Sequence, residues 1–403
     1  MAGFFMLYIY FVLLLSVIFI RDSTVIDLIG VQWLYLSIVN FLALLYNFYR
    51  KNSLPVISHW LKVSIYLLFI ILFLSTFQSI VIKLSLIDIA RYFVIYLTVY
   101  NTLLLIDESK FNFLKIARIF LIFLVFDNIE FLISYYKNFS SLTPRSTVLK
   151  GFTSNINITA FAILLKTPFL LYLILKDIKW IRLISYISLV ISLICLFWIQ
   201  SRASYIALLL IIVTLLLSFK SFPKVFLKFF SIAILSFILA NFHISKNNKN
   251  QDNFKRISSI INLDQKDVSI NNRLRYYEAG FNQILKSPFI GVGIGNWKIN
   301  SVEYDRKYME NYTVPYHMHN DFLQIFAETG IIGFILYFGI FAYLTLILVH
   351  KLINKKLKFQ HLILLMCLTT YIVDANFNFP HERSEIQAIF PIIIGLILYF
   401  EKD

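Results

Sequence analysis

Two histidines, His317 and His319, stand where a polar segment of the sequence gives way to a long apolar one. Asn320 is a favourable N-cap for a helix beginning there, and Asp321 would be stabilised by the positive end of that helix. Because an imidazole titrates near neutral pH, a histidine here could transfer a proton to or from a group held at a membrane surface. Either histidine could instead cap the helix or hydrogen-bond a loop, and the spacing alone does not decide between these roles.

A polar face is predicted on the helix that follows these histidines. Asp321, Gln324 and Glu328 recur at three- and four-residue spacing in an otherwise apolar run, which places them on one side of a helix. A zinc site is not indicated, because the His-x-His sequence has no cysteine nearby and Glu328 is two turns further along. We therefore expect no metal ion and no other cofactor.

Three arginines are candidates for binding an anion. Arg202 precedes an apolar run, and Arg273 and Arg275 lie at the start of a predicted amphipathic helix. A guanidinium group matches the geometry of phosphate oxygens. Arginines at a membrane interface, however, often serve only as anchors, and charges on an amphipathic helix are often simply solvated. Spacing alone leaves both interpretations open.

The composition is that of a polytopic membrane protein. Of the 403 residues, 59% are hydrophobic, whereas soluble domains contain roughly 45–50% apolar residues. The formal charge of +15 does not indicate nucleic-acid binding, because the basic residues are scattered through short loops. The two cysteines, Cys195 and Cys367, both lie in apolar runs, so neither a disulfide framework nor a metal site is indicated.

Twelve apolar runs are long enough to cross about 30 Å of hydrocarbon as helices. They span residues 4–20, 29–48, 60–82, 84–106, 113–136, 156–175, 178–199, 202–219, 225–242, 321–349, 360–376 and 385–400. We therefore expect an all-α polytopic membrane protein with about twelve transmembrane helices and one large, partly helical periplasmic loop. The third and fourth runs are so close that they could form one broken helix.

Lysines and arginines in the short loops fall on alternate sides of these runs, as the positive-inside rule requires. They cluster after the second, fourth, sixth, eighth and tenth runs, which predicts that both termini are cytoplasmic. The long segment 243–320 then lies on the outer side of the membrane. The predicted domains are transmembrane helices 1–9 over residues 1–242, a periplasmic module over 243–320, and transmembrane helices 10–12 over 321–403.

The periplasmic module is predicted to be partly helical. Its residues 246–252 are polar enough to be flexible, whereas apolar residues recur at helical spacing over 272–285 and stop at Ser287-Pro288. This pattern predicts an amphipathic helix on the membrane surface. The glycine-rich residues 291–295 form a tight turn; they lack the third-glycine spacing and the βαβ context of a dinucleotide-binding motif.

Several short motifs, in their order and spacing, resemble the O-antigen ligase and polymerase superfamily of bacterial inner-membrane enzymes from Gly151 onward. The motifs are Gly-Phe-Thr-Ser-Asn-Ile-Asn at 151–157, Gln-Ser-Arg-Ala-Ser at 200–204, Asn-Arg-Leu-Arg-Tyr-Tyr-Glu-Ala at 272–279 with Pro-x-x-Gly-x-Gly at 288–293, and His-Asn-Asp at 319–321 with Glu-x-Gly-x-x-Gly at 328–333. Residues 374–383 also resemble the family's final loop, although Ser384 stands where proline is common.

The resemblance implies roles for individual residues. Arg202 and Arg273 would bind the diphosphate of an undecaprenyl-linked glycan, and His319 would be the catalytic histidine. Arg275 lies where the family varies and is kept as a third diphosphate-binding candidate. The secondary site candidates are His317, Asn320, Glu328, Asn155, Asn157 and Arg383.

The resemblance further implies a glycosyltransferase of the bacterial inner membrane, with its active site facing the periplasm. His319 would act as general base in an inverting, metal-independent transfer of an undecaprenyl-diphosphate-linked glycan, the O-antigen, onto lipid A core in lipopolysaccharide biosynthesis. The alternative is a polysaccharide polymerase, whose acceptor is another lipid-linked repeat unit. A transporter of lipid-linked glycan is a candidate from a different class; it predicts internal repeats, and the sequence shows no convincing repeat.

Overall fold

The computed structural model describes residues 2–21, 27–50, 55, 57–106, 111–137, 151–153, 155–247, 253–261, 268–306, 315–354 and 356–402. The elements found in these ranges are α-helices and short 3-10 turns, with no strand. The predicted all-α fold class is therefore confirmed.

Each of the twelve predicted apolar runs coincides with one or more helices. The helices are α1 (Ala2–Leu15), α2 (Leu28–Tyr49), α3 (His59–Ser75), α4 (Ile82–Leu105), α5 (Phe113–Lys137), α6 (Ile156–Lys176), α7 (Lys179–Ile199), α8 (Arg202–Leu217), α9 (Pro223–Asn247), α10 (Asn253–Ile261), α11 (Val268–Lys286), α12 (Trp297–Asp305), α13 (Asp321–Ile353), α14 (Phe359–Phe377), α15 (Ser384–Gln387) and α16 (Phe390–Tyr399).

Six helical segments in the described ranges are long and apolar enough to cross a membrane. They are Leu28–Tyr49, His59–Gln78, Ile156–Lys176, Lys179–Ile199, Pro223–His243 and Asp321–Ile353. Three further apolar helices are shorter, and α4, although 24 residues long, contains Lys83, Asp88 and Arg91. The chain is thus a helical protein with several membrane-crossing segments; the count of twelve, the orientation, the periplasmic loop and the domain division stay predictions.

The third and fourth apolar runs form a hairpin rather than one broken helix. The ring of Phe69 in α3 lies 6.2 Å from that of Phe93 and 6.0 Å from that of Tyr96, both in α4. These contacts require the two helices to lie side by side. Asp88 and Arg91 of α4, which are three residues apart, form an ion pair at 2.9 Å.

The last apolar run, 385–400, was expected to be one span and is instead divided into α15 and α16. The division falls just before Pro391, whose ring nitrogen carries no hydrogen to donate to the preceding turn. Residues 380–383 and the short α15 consequently form a compact corner between α14 and α16, and nearly all of it is buried.

The predicted amphipathic helix over 272–285 is confirmed as α11, which begins four residues earlier and ends at Lys286. It packs against α12 and α13. The turn that follows α11 contacts α13 through backbone atoms, and this contact determines how the two helices are placed.

Helix α13 is interrupted at Gly330, where φ is 71° and ψ is −173°, a conformation open essentially only to glycine. The turn after α11 supplies hydrogen bonds at this break. The amide nitrogens of Val292 and Gly293 donate to the carbonyl oxygens of Ala327 and Glu328 at 3.2 and 2.9 Å. The amide of Ile331 donates to the carbonyl oxygen of Pro288 at 2.8 Å.

Glycines in the turn after α11 and in α13 allow the two backbones to come this close. A Cβ at Gly291, where φ is +75°, would lie 2.3 Å from the carbonyl carbon of Glu328, and a Cβ at Gly330 would lie 2.2 Å from the backbone of Phe289. The two glycine motifs at 288–293 and 328–333 therefore form one backbone-to-backbone junction, which we call the glycine junction.

Gly291→Ala should destabilise the protein by about 2 kcal/mol or more, because the added methyl group meets backbone atoms and φ is positive. Thermal unfolding of the detergent-purified protein measures the effect. Gly339→Ala is the matched control, since a Cβ there has no atom within 4 Å, and alanine is favoured over glycine inside a helix. Equal melting temperatures for the two variants would contradict the importance of the junction.

Candidate active site

His319 lies in the turn that leads into α13, and its backbone has a positive φ of 59°. This conformation is unfavourable for a residue with a side chain and requires support from its surroundings. The Asn320 side chain caps α13 by accepting from the Leu323 amide at 2.9 Å, and the Met318 amide donates to Gln324 Oε1 at 3.2 Å. The predicted N-cap role of Asn320 is thereby confirmed.

A second support for His319 comes from α11. The hydroxyl of Tyr277 lies 3.2 Å from the carbonyl oxygens of both His319 and Asn376. The neighbouring ring of Tyr276 stacks on the imidazole of His319, with centroids 6.1 Å apart and planes inclined by 17°. The helix that carries Arg273 thus also holds the backbone and the ring of His319.

The ring of Phe379, in the loop after α14, contacts three candidate residues. His317 stacks on it at 4.0 Å, His319 meets it edge-on at 5.0 Å, and the guanidinium carbon of Arg383 lies 4.7 Å from its centroid. The final loop of the chain therefore comes next to the histidine pair, and it brings Arg383 with it.

Both histidines are neutral at physiological pH. Burial, followed by the positive charges of Arg273 and Arg383, lowers the pKa of His319 to about 4. Burial is also the main cause that lowers the pKa of His317, to about 3. A neutral imidazole keeps a lone pair on one ring nitrogen, so His319 can accept a proton.

An ionic network lies beside the histidine pair. His381 Nδ1 lies 2.6 Å from Asp321 Oδ1, and its backbone amide donates to Asp321 Oδ2 at 3.1 Å. Glu382 forms an ion pair with Arg91, and its carboxylate is 3.7 Å from His381 Nε2 and 4.0 Å from His317 Nδ1. The network ties α4, the first turn of α13 and the final loop together.

His381 carries a positive charge in this network. Burial opposes protonation, but the charge and hydrogen bond of Asp321, with the charge of Glu382, outweigh it and raise the pKa of His381 to about 9. His381 is not among the predicted functional residues, and its pairing with Asp321 was not predicted either. The only sequence signal was that both lie in passages resembling the family, because the pairing itself joins residues 60 positions apart.

Three of the predicted site residues, Arg275, Glu328 and Asn155, form ion pairs or hydrogen bonds with other residues in the described ranges. Arg275 Nε lies 2.7 Å from the buried carboxylate of Asp305, and its guanidinium carbon is 5.3 Å from the centre of the Tyr276 ring. Glu328 is buried, and its Oε1 accepts from the Trp297 amide at 3.1 Å. Asn155 caps α6 by accepting from the amides of Asn157 and Ile158 at 3.0 and 3.3 Å.

Arg202 is the first residue of α8, directly after a helix end at Gln200, whose φ is 56°. The surrounding contacts connect this point to α10. Arg256 Nε donates to the Gln200 carbonyl oxygen at 3.0 Å, and the hydroxyl of Tyr205 donates to Asn253 Oδ1 at 2.7 Å. Arg273, Arg383, His317 and His319 are therefore brought together in the structure. Arg202 lies in the region where α8 contacts α10.

Within the described ranges, no group of three or more His, Cys, Asp or Glu side chains has the arrangement of a metal site. Residues 187–338 match the family model described as O-antigen ligase. The matched range contains Arg202, Arg273 and His319. No curated protein matches the chain.

Asp321→Asn removes the charge partner of His381 while keeping the side-chain shape. Because the pKa of His381 is raised from 6.5 to about 9, the stabilisation from its protonation is complete below its ordinary pKa and is lost as the pH rises through about 9. The variant should be less stable than wild type by about 3 kcal/mol near pH 6, and the difference should shrink towards pH 10.

The measurement is the difference in thermal stability between wild type and variant at pH 6, 8 and 10. Asp177→Asn is the matched control, because Asp177 pairs with Arg118 at 2.6 Å, and arginine keeps its charge throughout this range. Its effect should be the same at all three pH values. A pH-independent difference for Asp321→Asn would show that His381 is not protonated through this contact.

Proposed function

We propose that the chain transfers a glycan from undecaprenyl diphosphate onto lipid A core at the periplasmic face of the inner membrane. The match of residues 187–338 to the O-antigen ligase family model supports this proposal. The observation that carries the proposal is the setting of His319. Its imidazole is half-buried and neutral and lies within the electrostatic influence of Arg273 and Arg383, at the start of a segment long and apolar enough to span a membrane.

His319 acts as the general base. Its neutral ring nitrogen takes the proton of an acceptor sugar hydroxyl, and the oxygen attacks the anomeric carbon of the donor. The bond from that carbon to the diphosphate oxygen breaks, and undecaprenyl diphosphate leaves with the electron pair. Attack opposite the leaving group inverts the anomeric configuration, and the step requires neither a nucleotide nor a metal ion.

Donor binding would strengthen this base. In the free protein, burial and the charges of Arg273 and Arg383 hold the pKa of His319 at about 4, which makes the imidazole a weak base. A bound diphosphate brings negative charge to the same arginines and offsets their effect on the ring. The imidazole therefore becomes more basic only when a donor is present, and this coupling protects the site from protonation while it is empty.

Arginines stabilise the departing diphosphate. Arg273 and Arg383 are the two whose charges act on His319, and a partly dehydrated site strengthens their attraction for the negative charge that develops on the leaving group. Arg202 is proposed to contact the same diphosphate from the start of α8. Arg275, paired with Asp305, instead positions Tyr276 against the imidazole.

Polymerisation uses the same chemistry with another lipid-linked repeat unit as acceptor. The two activities are separated by reconstituting the purified protein with lipid-linked donor in EDTA and supplying lipid A core or lipid-linked repeat units in parallel. A transporter would move the donor across the bilayer without breaking the glycosidic bond, so release of undecaprenyl diphosphate distinguishes transfer from transport.

His319→Gln should reduce transfer by about 100-fold or more, the usual contribution of a general base, with the protein level and melting temperature close to wild type. Product formation and undecaprenyl diphosphate release are both measured. His59→Gln is the matched control, since His59 is the exposed first residue of α3. Wild-type turnover by His319→Gln at equal protein level would refute the general-base assignment.

Arg273→Lys and Arg202→Lys keep the charge but lose the planar fork that binds two phosphate oxygens. Each should lower kcat/KM for the donor by about tenfold or more, as expected for the loss of a charge-assisted hydrogen bond. Arg306→Lys, at an exposed position after α12, provides the matched control. Unchanged donor kinetics for Arg202→Lys would show that Arg202 only anchors α8 at the interface.

A further inference from the structure

A cavity of about 540 Å³ lies between α2, α4 and the two loops that carry the site. His317 and Arg383 belong to its lining, whereas His319 does not. On the side of α2 and α4 the cavity is bordered by Leu34 and Ile87, which are 60% and 40% exposed. The cavity therefore has a polar end at the histidine pair and an apolar border on helices α2 and α4.

The polar end combines both signs of charge with aromatic rings. Its cations are Arg91, Lys298 and Arg383, its carboxylates are Asp27, Asp88 and Glu382, and its aromatic side chains are Trp33 and Tyr316. Arg91 pairs with two of the carboxylates. Lys298 Nζ lies 5.9 Å from the centre of the Tyr316 ring, and the Tyr316 side chain is 67% exposed.

This lining suits a carbohydrate better than a diphosphate. Carboxylates accept hydrogen bonds from sugar hydroxyls, and ammonium and guanidinium groups donate to the ring and hydroxyl oxygens. An exposed aromatic face can pack against the apolar side of a sugar ring. The three carboxylates offset the three cations, so the lining as a whole has no excess positive charge with which to hold a diphosphate. A volume of this order is also in the range of small-molecule binding sites.

A second opening borders Asn376, whose backbone lies close to that of His319. A groove of about 520 Å³ lies between α13 and α14; four of its nine lining residues are phenylalanines, and Asn376 is another lining residue. The carbonyl oxygen of Asn376 shares the Tyr277 hydroxyl with that of His319. His317 thus faces the cavity of α2 and α4, while His319 lies on the side of α11 and α14 together with Arg273.

We infer that the cavity between α2 and α4 binds the carbohydrate part of the acceptor, with Tyr316 and Lys298 at its entrance and His317 at its inner end. The acceptor's lipid part then lies outside along Leu34 and Ile87, and the donor reaches His319 from the Arg273 side. This inference rests on the proposed function, because it assigns one of the two substrates of that reaction to a site.

Tyr316→Ala tests whether the cavity binds the acceptor. Because the Tyr316 side chain is 67% exposed, its removal should leave the fold intact. In the reconstituted assay, with whichever acceptor the wild type uses, the variant should raise the acceptor KM by about tenfold, which corresponds to the loss of one aromatic contact, and leave the donor KM unchanged. Tyr136→Ala is the matched control, since Tyr136 is 61% exposed and lies outside the cavity. An unchanged acceptor KM, or an equal rise in both KM values, would overturn the assignment.

A direct binding measurement separates this inference from the proposed function. The oligosaccharide released from the acceptor is titrated into the purified protein, and binding is followed by saturation-transfer NMR without any donor. Ala90→Phe places a ring in the cavity lining and should abolish binding, while Leu86→Phe, on the same helix and outside the lining, should retain it.

Oligosaccharide binding and glycan transfer together distinguish failure of the acceptor assignment from failure of the proposed function. If the wild type binds the oligosaccharide but transfers no glycan, the proposed function fails. If the wild type transfers glycan while Ala90→Phe binds oligosaccharide and uses acceptor as well as the wild type, the acceptor assignment fails.

Discussion

The glycine junction is the contact on which the arrangement of the site depends. A helix break at Gly330 frees backbone groups that would otherwise be paired within α13, and an unpaired buried backbone group is costly. The turn at 288–293 supplies the missing partners, and it can approach only because Gly291 and Gly330 have no side chains. The junction therefore fixes the C-terminal end of α11 against α13.

Fixing α11 in this way determines the position of several candidate site residues. Arg273, Tyr276 and Tyr277 are all on α11, and the two tyrosines contact His319 at the start of α13. The positive φ of His319 is sustained because the Asn320 cap, the Gln324 side chain and Tyr277 hold the backbone around it. Strain at one residue is thus offset by contacts distributed over two helices.

Much of the fold could be predicted from the sequence because it depends on local pattern. Apolar runs of helical length gave the helices, and the Asn320 cap and the Asp88–Arg91 pair follow from spacing of three residues. The pairing of Asp321 with His381, of Arg275 with Asp305, and of Phe379 with both histidines joins distant parts of the chain. Contacts between distant parts of the chain produce no periodic pattern in the sequence. Arg275 was therefore predicted to bind phosphate, and His381 was not predicted to be functional.

His381 and His319 have opposite protonation states because the charges next to them differ. His381 has a carboxylate within hydrogen-bond distance and is protonated, whereas His319 has arginines nearby and is neutral. The first arrangement holds the final loop to α13, and it needs a fixed charge. The second leaves a ring nitrogen of the half-buried His319 unprotonated, and a diphosphate that neutralised the arginines would raise the basicity of this imidazole. Histidine thus occurs here in two protonation states because its neighbours differ: His381 holds the final loop to α13, and His319 has the proton-accepting nitrogen that the proposed transfer requires.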